Sequence, residues 1–185
     1  TFTYNVPVRE GYTWSDGSPI TANDWEFTFD TVKSLSLGGN FLSSYPYSCE
    51  DEEGTAKNCV VSVVASDDYT VSITFNYDPG LSTWQYGTAQ GIAFSKAYWE
   101  QYATDKETLY AHDATNAPVA SAFVYDKLEQ GAFYTWKYDA NTMWYGGTTT
   151  IYDGGGTSVD WDNGKAPAFS ADFGNTTGDS FSYES

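Results

Sequence analysis

Residues 8–32 read VREGYTWSDGSPITANDWEFTFDTV, and the two halves of this stretch obey different periods. Leading into it, Phe2, Tyr4, Val6 and Val8 alternate with Thr3, Asn5, Pro7 and Arg9, the period of a half-buried strand. Pro7 has no N–H to give to a ladder, which places that strand at a sheet edge. Alternation resumes after Gly11 through Tyr12 and Trp14, and Asp16 followed by Gly17 supplies a turn that tolerates positive φ. From Thr21 the period becomes helical: Ala22, Trp25, Phe29, Val32 and Leu35 fall three or four residues apart, with Asn23, Glu26, Asp30 and Lys33 opposite. Thr21 is the natural N-cap. Asp24, three residues on, can return a hydrogen bond in a capping box, and its charge suits the positive end of the helix dipole. Gly38 and Gly39 are expected to end the helix.

The rest of the chain mixes strands and helices without a βαβ rhythm. VVSVVASDDYTVSITFNY (60–77) places Tyr69, Val71, Ile73, Phe75 and Tyr77 in strict alternation with Thr70, Ser72, Thr74 and Asn76, a hairpin turning near Asp67 and Asp68. SKAYWEQYATDKETLY (95–110) has weaker helical spacing, with Ala97 and Gln101, or Tyr98 and Tyr102, one turn apart. SAFVYDKLEQGAFYTWKYD (121–139) is a second hairpin, turning at Glu129 to Gly131 and carrying Ala132, Tyr134, Trp136 and Tyr138 on one face. The fold class expected is α+β, a mixed and mainly antiparallel sheet with a few helices. Beyond Gly146 the composition shifts to Gly, Thr, Ser and Asp, yet Ile151, Tyr152, Trp161, Phe169, Phe173 and Phe181 give this stretch apolar anchors. The boundaries expected are 1–147 for the folded unit and 148–185 for an extension packed on it or partly flexible.

Composition excludes several classes of partner. The 25 acidic side chains outnumber the 8 Lys and Arg, for a net charge of −17, so nucleic acid and anionic membrane are poor partners. Acidity of this kind serves solubility first and a preference for cationic ligands second. No run of 18 apolar residues exists to cross a bilayer as a helix. The chain opens on TFTYNVPVRE, already strand-like and without Met or a signal peptide, and is expected to begin inside a longer protein. Cys49 and Cys59, in SCEDEEGTAKNC, are expected to form a disulfide that closes a short loop and implies an oxidising compartment. Two buried thiols or a metal pair are the alternatives; His112, the lone histidine, lies far along the chain and no CxxC spacing occurs.

The order strand, Asp-Gly turn, capped helix carries a resemblance. Arg9, Gly11, Trp14, Ser15, Asp16, Gly17, Pro19, Thr21, Ala22 and Asp24 resemble the signature of the family 5 extracellular solute-binding proteins, receptors that deliver peptides and other solutes to ABC importers. DDYTVSITFNYDPG looks like that family's hairpin strand, through Asp67 or Asp68, Tyr69, Thr70, Val71 and Pro79. A third stretch looks like the family's run from a Pro-Val start to paired glycines, through Pro118, Val119, Gly131, Asn141, Trp144, Tyr145, Gly146 and Gly147. Family members usually carry Gly-x-Gly-Pro-Tyr after that Pro-Val. Here Ala120, Ser121, Ala122 and Phe123 stand in its place, without the backbone freedom of glycine.

The resemblance implies a part of a periplasmic-binding-protein-like type II receptor, the smaller subdomain attached to its first lobe, with most of the ligand cleft outside the chain. It also implies a non-catalytic monomer without cofactors, extracellular or periplasmic, serving an ABC permease and anchored to the membrane through the parent protein's N-terminus. Read physically, the signature is structural: Trp14 is large apolar area, Asp16, Gly17 and Pro19 shape the turn, and Thr21 and Asp24 cap the helix. For ligand contact the expectation falls on Phe41, Tyr45 and Tyr47 in NFLSSYPYS (40–48), which no strand or helix period explains, and on Gln85 and Tyr86 in the loop after Pro79. Packing beneath the loop is the competing account. No GxSxG, HExxH or P-loop occurs, no carboxylate pair stands out for glycoside hydrolysis, and His112 beside Asp113 reads as a surface residue rather than a dyad. DGGGTSVDWDNG does not fit an EF-hand loop. A carbohydrate-binding or adhesion module, stacking exposed Trp and Tyr on sugars, is the alternative function.

Overall fold

The computed structural model describes residues 1–81, 87–88, 91–121, 123–129, 131–138, 148–152 and 158–162, the last two stretches as backbone. The chain forms two compact units. One comprises Thr1–Gly11 with Pro19–Ala117, and the other Tyr12–Ser18 with Pro118–Ser185.

The first unit is a three-stranded antiparallel sheet with a helix on one face. Strand β1 (Phe2–Pro7) pairs with β3 (Thr70–Phe75), which pairs with β2 (Val60–Asp67), so the order is β1-β3-β2. Pro7 does lie on an edge strand, opposite Thr70, where its missing N–H costs no ladder bond. The hairpin turns after Asp67, whose carboxylate accepts the Tyr69 N–H at 2.8 Å. Alternation then divides the sheet: Val71, Ile73 and Phe75 are buried beneath helix α1 (Ala22–Ser34), while Thr70, Ser72 and Thr74 face the other way. On that polar face Thr3 bonds Thr74 at 3.0 Å and Ser72 donates to Asn5 at 2.7 Å. The core cluster joins Ala22, Phe29, Tyr45, Val60, Val63, Val71, Ile73 and Phe75, with Tyr4, Val6, Val8 and Trp25 packed against it. Each large side chain fully buried there contributes roughly 1.5–3 kcal/mol. Phe2, at the outer end of β1, stays 45% exposed.

Helix α1 starts as its sequence predicts and stops early. Thr21 caps it in extended conformation, the Thr21 N–H donating to the Asp24 carboxylate at 2.9 Å. Its end corrects the expectation of a stop at Gly38 and Gly39. Ser34 is the last helical residue, and Ser36 takes the left-handed position with φ of 51°. The Leu37 N–H reaches back to the Val32 carbonyl at 2.9 Å and the Ser36 N–H to Lys33 at 3.3 Å, a Schellman closure. Leu37 is buried, so closing the helix at this point places its side chain in the interior. Gly39, with φ of 65°, instead precedes a second short helix, α2 (Asn40–Ser44). The aromatic stretch expected to be irregular is thus helical as far as Ser44.

The predicted disulfide is present. Cys49 and Cys59 are bonded at 1.99 Å, and the Val60 N–H donates to the Pro46 carbonyl at 2.8 Å, tying the segment after α2 to the start of β2. The weakly helical stretch resolves into two short helices, α3 (Lys96–Trp99) and α4 (Lys106–Ala111), followed by a 3-10 turn, Ala114–Asn116.

In the second unit, Trp14 is buried and opens a tight turn. Gly17 donates to the Trp14 carbonyl at 2.9 Å with φ of 86°, and the Trp14 N–H closes on Ser18 at 2.8 Å. Asp16 accepts both the N–H and the hydroxyl of Ser18, at 2.9 and 2.6 Å. The Ser15 N–H donates to the Val119 carbonyl, and Val119 returns its N–H to the Ser15 hydroxyl, each at 3.0 Å. Two separate signature stretches therefore meet. Strands β4 (Phe123–Glu129) and β5 (Phe133–Tyr138) form the second hairpin, closed by Gly131 at φ of 81°. Strands β6 (Thr148–Tyr152) and β7 (Ser158–Asp162) form a third, with Ile151 opposite Val159. Phe169, Phe173 and Phe181 lie outside the described residues.

Candidate functional site

Helix α1 presents more than an apolar stripe to the protein: Asp24, Thr28 and Thr31 are buried as well. Asp24 and Thr28 find partners in the segment that leads into α3. The Phe94 N–H donates to the Thr28 hydroxyl at 2.7 Å, and the Lys96 N–H donates to the Asp24 carboxylate at 2.8 Å. These bonds hold Phe94 and α3 against the signature helix.

From Phe94 a run of rings extends in both directions. Phe41, on α2, meets it edge-on at 5.1 Å between ring centroids, and Trp99 meets it from α3 at 5.6 Å. Trp99 contacts Tyr98 at 5.4 Å and Tyr102 at 6.3 Å. His112 stacks on Tyr102 at 3.5 Å and 14°, and its Nε2 stands 2.9 Å from the Tyr98 hydroxyl, the donor being set by the tautomer. All six side chains are half-buried, so the group forms an aromatic shelf with part of its surface open. Burial, with Tyr102 and Asp113 nearby, pushes the Tyr98 phenol up from its ordinary value. Asp113 accepts the Thr115 N–H at 3.0 Å and caps the 3-10 turn, while His112 pairs with Tyr98. The two neighbours in sequence thus take different partners.

The residues expected to touch a ligand are distributed unequally. Phe41 joins the shelf. Tyr47 is half-buried against the core cluster, its hydroxyl donating to the Leu37 carbonyl at 3.4 Å. Tyr45 is fully buried and packs edge-on against Phe29 at 6.1 Å. Its hydroxyl has no hydrogen-bond partner among the described residues, and burial pushes its pKa well above the ordinary phenol value. A Cβ added to Gly91 would stand 2.5 Å from that hydroxyl, so glycine at this position is what admits the Tyr45 ring. Gln85 and Tyr86 lie outside the described residues. Sequence reading missed Phe94, Tyr98, Trp99, Tyr102 and His112 as a group. Only the Tyr98–Tyr102 spacing of one helical turn hinted at it. Among the described residues no group of three or more His, Cys, Asp or Glu could hold a metal ion, and no helix is long and apolar enough to cross a membrane.

Residues 1–166 match the family model described as bacterial extracellular solute-binding proteins, family 5 Middle. The chain belongs to that family. Among curated sequences the chain is similar to the dipeptide-binding protein DppE of Bacillus subtilis, 32% identical over 75 residues that cover 39% of this chain and 14% of that protein. Among solved structures it is similar to a periplasmic oligopeptide-binding protein of Thermotoga maritima, with a TM-score of 0.55 at 20% identity over 76% of this chain and 23% of that one. It is also similar to the oligopeptide-binding protein AppA of Bacillus subtilis, solved with a nonapeptide, with a TM-score of 0.54 at 18% identity over 76% and 25% of the two chains. At these identities the likeness establishes the fold alone, that of a part of these two proteins. The chain spans about a quarter or less of the length of these three relatives. The family is one of solute-binding transport proteins, extracellular by description.

Proposed function

We propose that the chain is a non-catalytic part of an extracellular solute-binding receptor that captures peptides or similar small solutes for an ABC importer. Family 5 membership over residues 1–166 is the observation that carries this reading. On it, residues 1–147 are the smaller subdomain of the first lobe and 148–185 an extension of it. The parent protein is a monomer, extracellular or periplasmic, anchored by the segment preceding Thr1, and its partner is an ABC permease. Phe41, Tyr47 and Tyr86 supply aromatic contacts to the solute, whereas Tyr45, expected from the sequence to join them, is fully buried and packs against Phe29. The shelf from Phe94 to His112, which Phe41 meets edge-on, adds rings whose flat faces suit peptide side chains and backbone amides.

The test is calorimetric titration of the full-length parent protein with a mixed pool of short peptides, beside the same titration of this chain. Binding by the parent and weak or absent binding by the chain is the expected result. Binding of glycans by the chain alone would replace the receptor with a carbohydrate module, and turnover lost on removing a carboxylate would replace it with an enzyme.

A further inference from the structure

Asp24 reads in the sequence as the third residue of a helix and half of a capping box. In the fold its buried carboxylate is divided between two helices. One oxygen, Oδ2, accepts the Thr21 N–H at 2.9 Å and closes the start of α1. The other, Oδ1, accepts the Lys96 N–H at 2.8 Å, from a residue 72 positions away that opens α3. The residue standing at the N-cap of α3 is Ser95, whose own hydroxyl is buried and makes no hydrogen bond among the described residues. Asp24 thus satisfies from across space the N–H of the first residue of α3, one of the donors a helix start leaves without an intrahelical partner. One turn along α1, the fully buried Thr28 repeats the arrangement: its hydroxyl donates to the Asp24 carbonyl at 2.6 Å and accepts the Phe94 N–H at 2.7 Å. Two adjacent turns of the signature helix thus grip alternate N–H groups of one distant strand of backbone. The gripped residues are Phe94 itself and Lys96, and Tyr98 and Trp99 follow Lys96 on α3.

We propose that Asp24 is a positioning residue for the aromatic shelf: one carboxylate caps two helices, and so fixes where Phe94, Tyr98 and Trp99 stand relative to Phe41. Thr28 is the second point of the same clamp. Two contacts on adjacent turns define a direction as well as a position, which a single bond cannot do. The geometry stands without reference to any ligand; that the shelf meets a peptide rests on the function proposed above.

Amide hydrogen exchange followed by NMR separates this role from simple helix capping. In Asp24→Asn, one acceptor oxygen becomes an N–H2 group that faces a backbone donor. Protection of the Lys96 amide is expected to fall about tenfold or more, the near-UV circular dichroism of the shelf to weaken, and the β3 amides of Val71 and Ile73 to keep their protection. Thr21→Ala, which loosens only the start of α1, is expected to leave Lys96 within about twofold of the wild type. Unchanged Lys96 exchange in Asp24→Asn, or equal loss in Thr21→Ala, would overturn the proposal. Should Asp24→Asn fail to fold, Thr28→Val decides: selective loss of protection at Phe94 supports the clamp, and its absence removes it. A parent protein that binds no peptide from a mixed pool would defeat the transport reading, while the exchange comparison still decides the role of Asp24.

Discussion

The hairpins β2–β3 and β4–β5 are built from the same instructions. Each has a second strand, β3 or β5, that sets aromatic or β-branched residues at every other position, and each turns at a short connection. In β2–β3 one face vanishes: Val63, Val71, Ile73 and Phe75 are at most 4% exposed under α1, with Tyr45 set among them. In β4–β5 the register brings Tyr125 opposite Trp136 and Leu128 opposite Tyr134, yet Leu128, Tyr134 and Trp136 remain 51–69% exposed. A two-stranded ribbon of this kind is marginal in water. Alternation specifies which residues share a face; it carries no information on what, if anything, covers that face.

Truncating one ring on each hairpin is the most direct attempt to break this contrast. Phe75→Ala is expected to cost about 3–5 kcal/mol, because a fully buried ring leaves a cavity, whereas Trp136→Ala is expected to stay within about 0.5 kcal/mol. Chemical denaturation of both variants checks it, and equal losses would mean that the β4–β5 rings are covered in solution. Next in size is the disulfide, which ties the segment after α2 to the buried hairpin and has no counterpart on the exposed one. Closing a loop of this length is worth about 3 kcal/mol on the chain-entropy model, so Cys49→Ser with Cys59→Ser should lower the unfolding free energy read from denaturant curves by about that amount.

A finer probe asks how tightly the covered hairpin's core is filled. Gly91→Ala would place a methyl 2.5 Å from the Tyr45 hydroxyl and 2.9 Å from the Thr88 carbonyl, at a cost of about 1–3 kcal/mol. Tyr45→Phe alone removes a buried, unpaired hydroxyl and should be neutral or stabilising; in the double variant it should recover part of the loss. Thermal melts of the single and double variants give the coupling.

The smallest effect lies at the surface end of the shelf, where α4 is capped by Asp105. Its carboxylate accepts the Thr108 N–H and hydroxyl, each at 2.8 Å, which holds its pKa below the ordinary carboxylate range. A depressed folded pKa stabilises above the unfolded value and is lost as pH falls through the folded one. The Leu109 amide, donating to the Asp105 carbonyl, should therefore lose protection on acidification. In Asp105→Asn that pH dependence should disappear.

Local rules made much of the fold readable. Pro7 announced an edge strand, Thr21 and Asp24 announced a helix start, and both hairpin turns fell where polar residues and Gly131 put them. Helix α1 ended elsewhere because Leu37, which is buried, closes a Schellman turn through Ser36 ahead of the two glycines. The site was less legible. Phe41 and Tyr45 are four residues apart in one segment, yet one reaches the shelf and the other is fully buried.

The sequence by itself determined the strand periods, the turn and cap chemistry, the cysteine pair and the family signature, because each depends on neighbours within a few residues. Only the tertiary structure decided which aromatic face is covered, that Asp24 caps a second helix, and that His112 stacks among tyrosines. Those outcomes depend on residues brought together from as far as 72 positions apart, and what decides them is burial and the satisfaction of backbone donors in three dimensions, which no local pattern encodes.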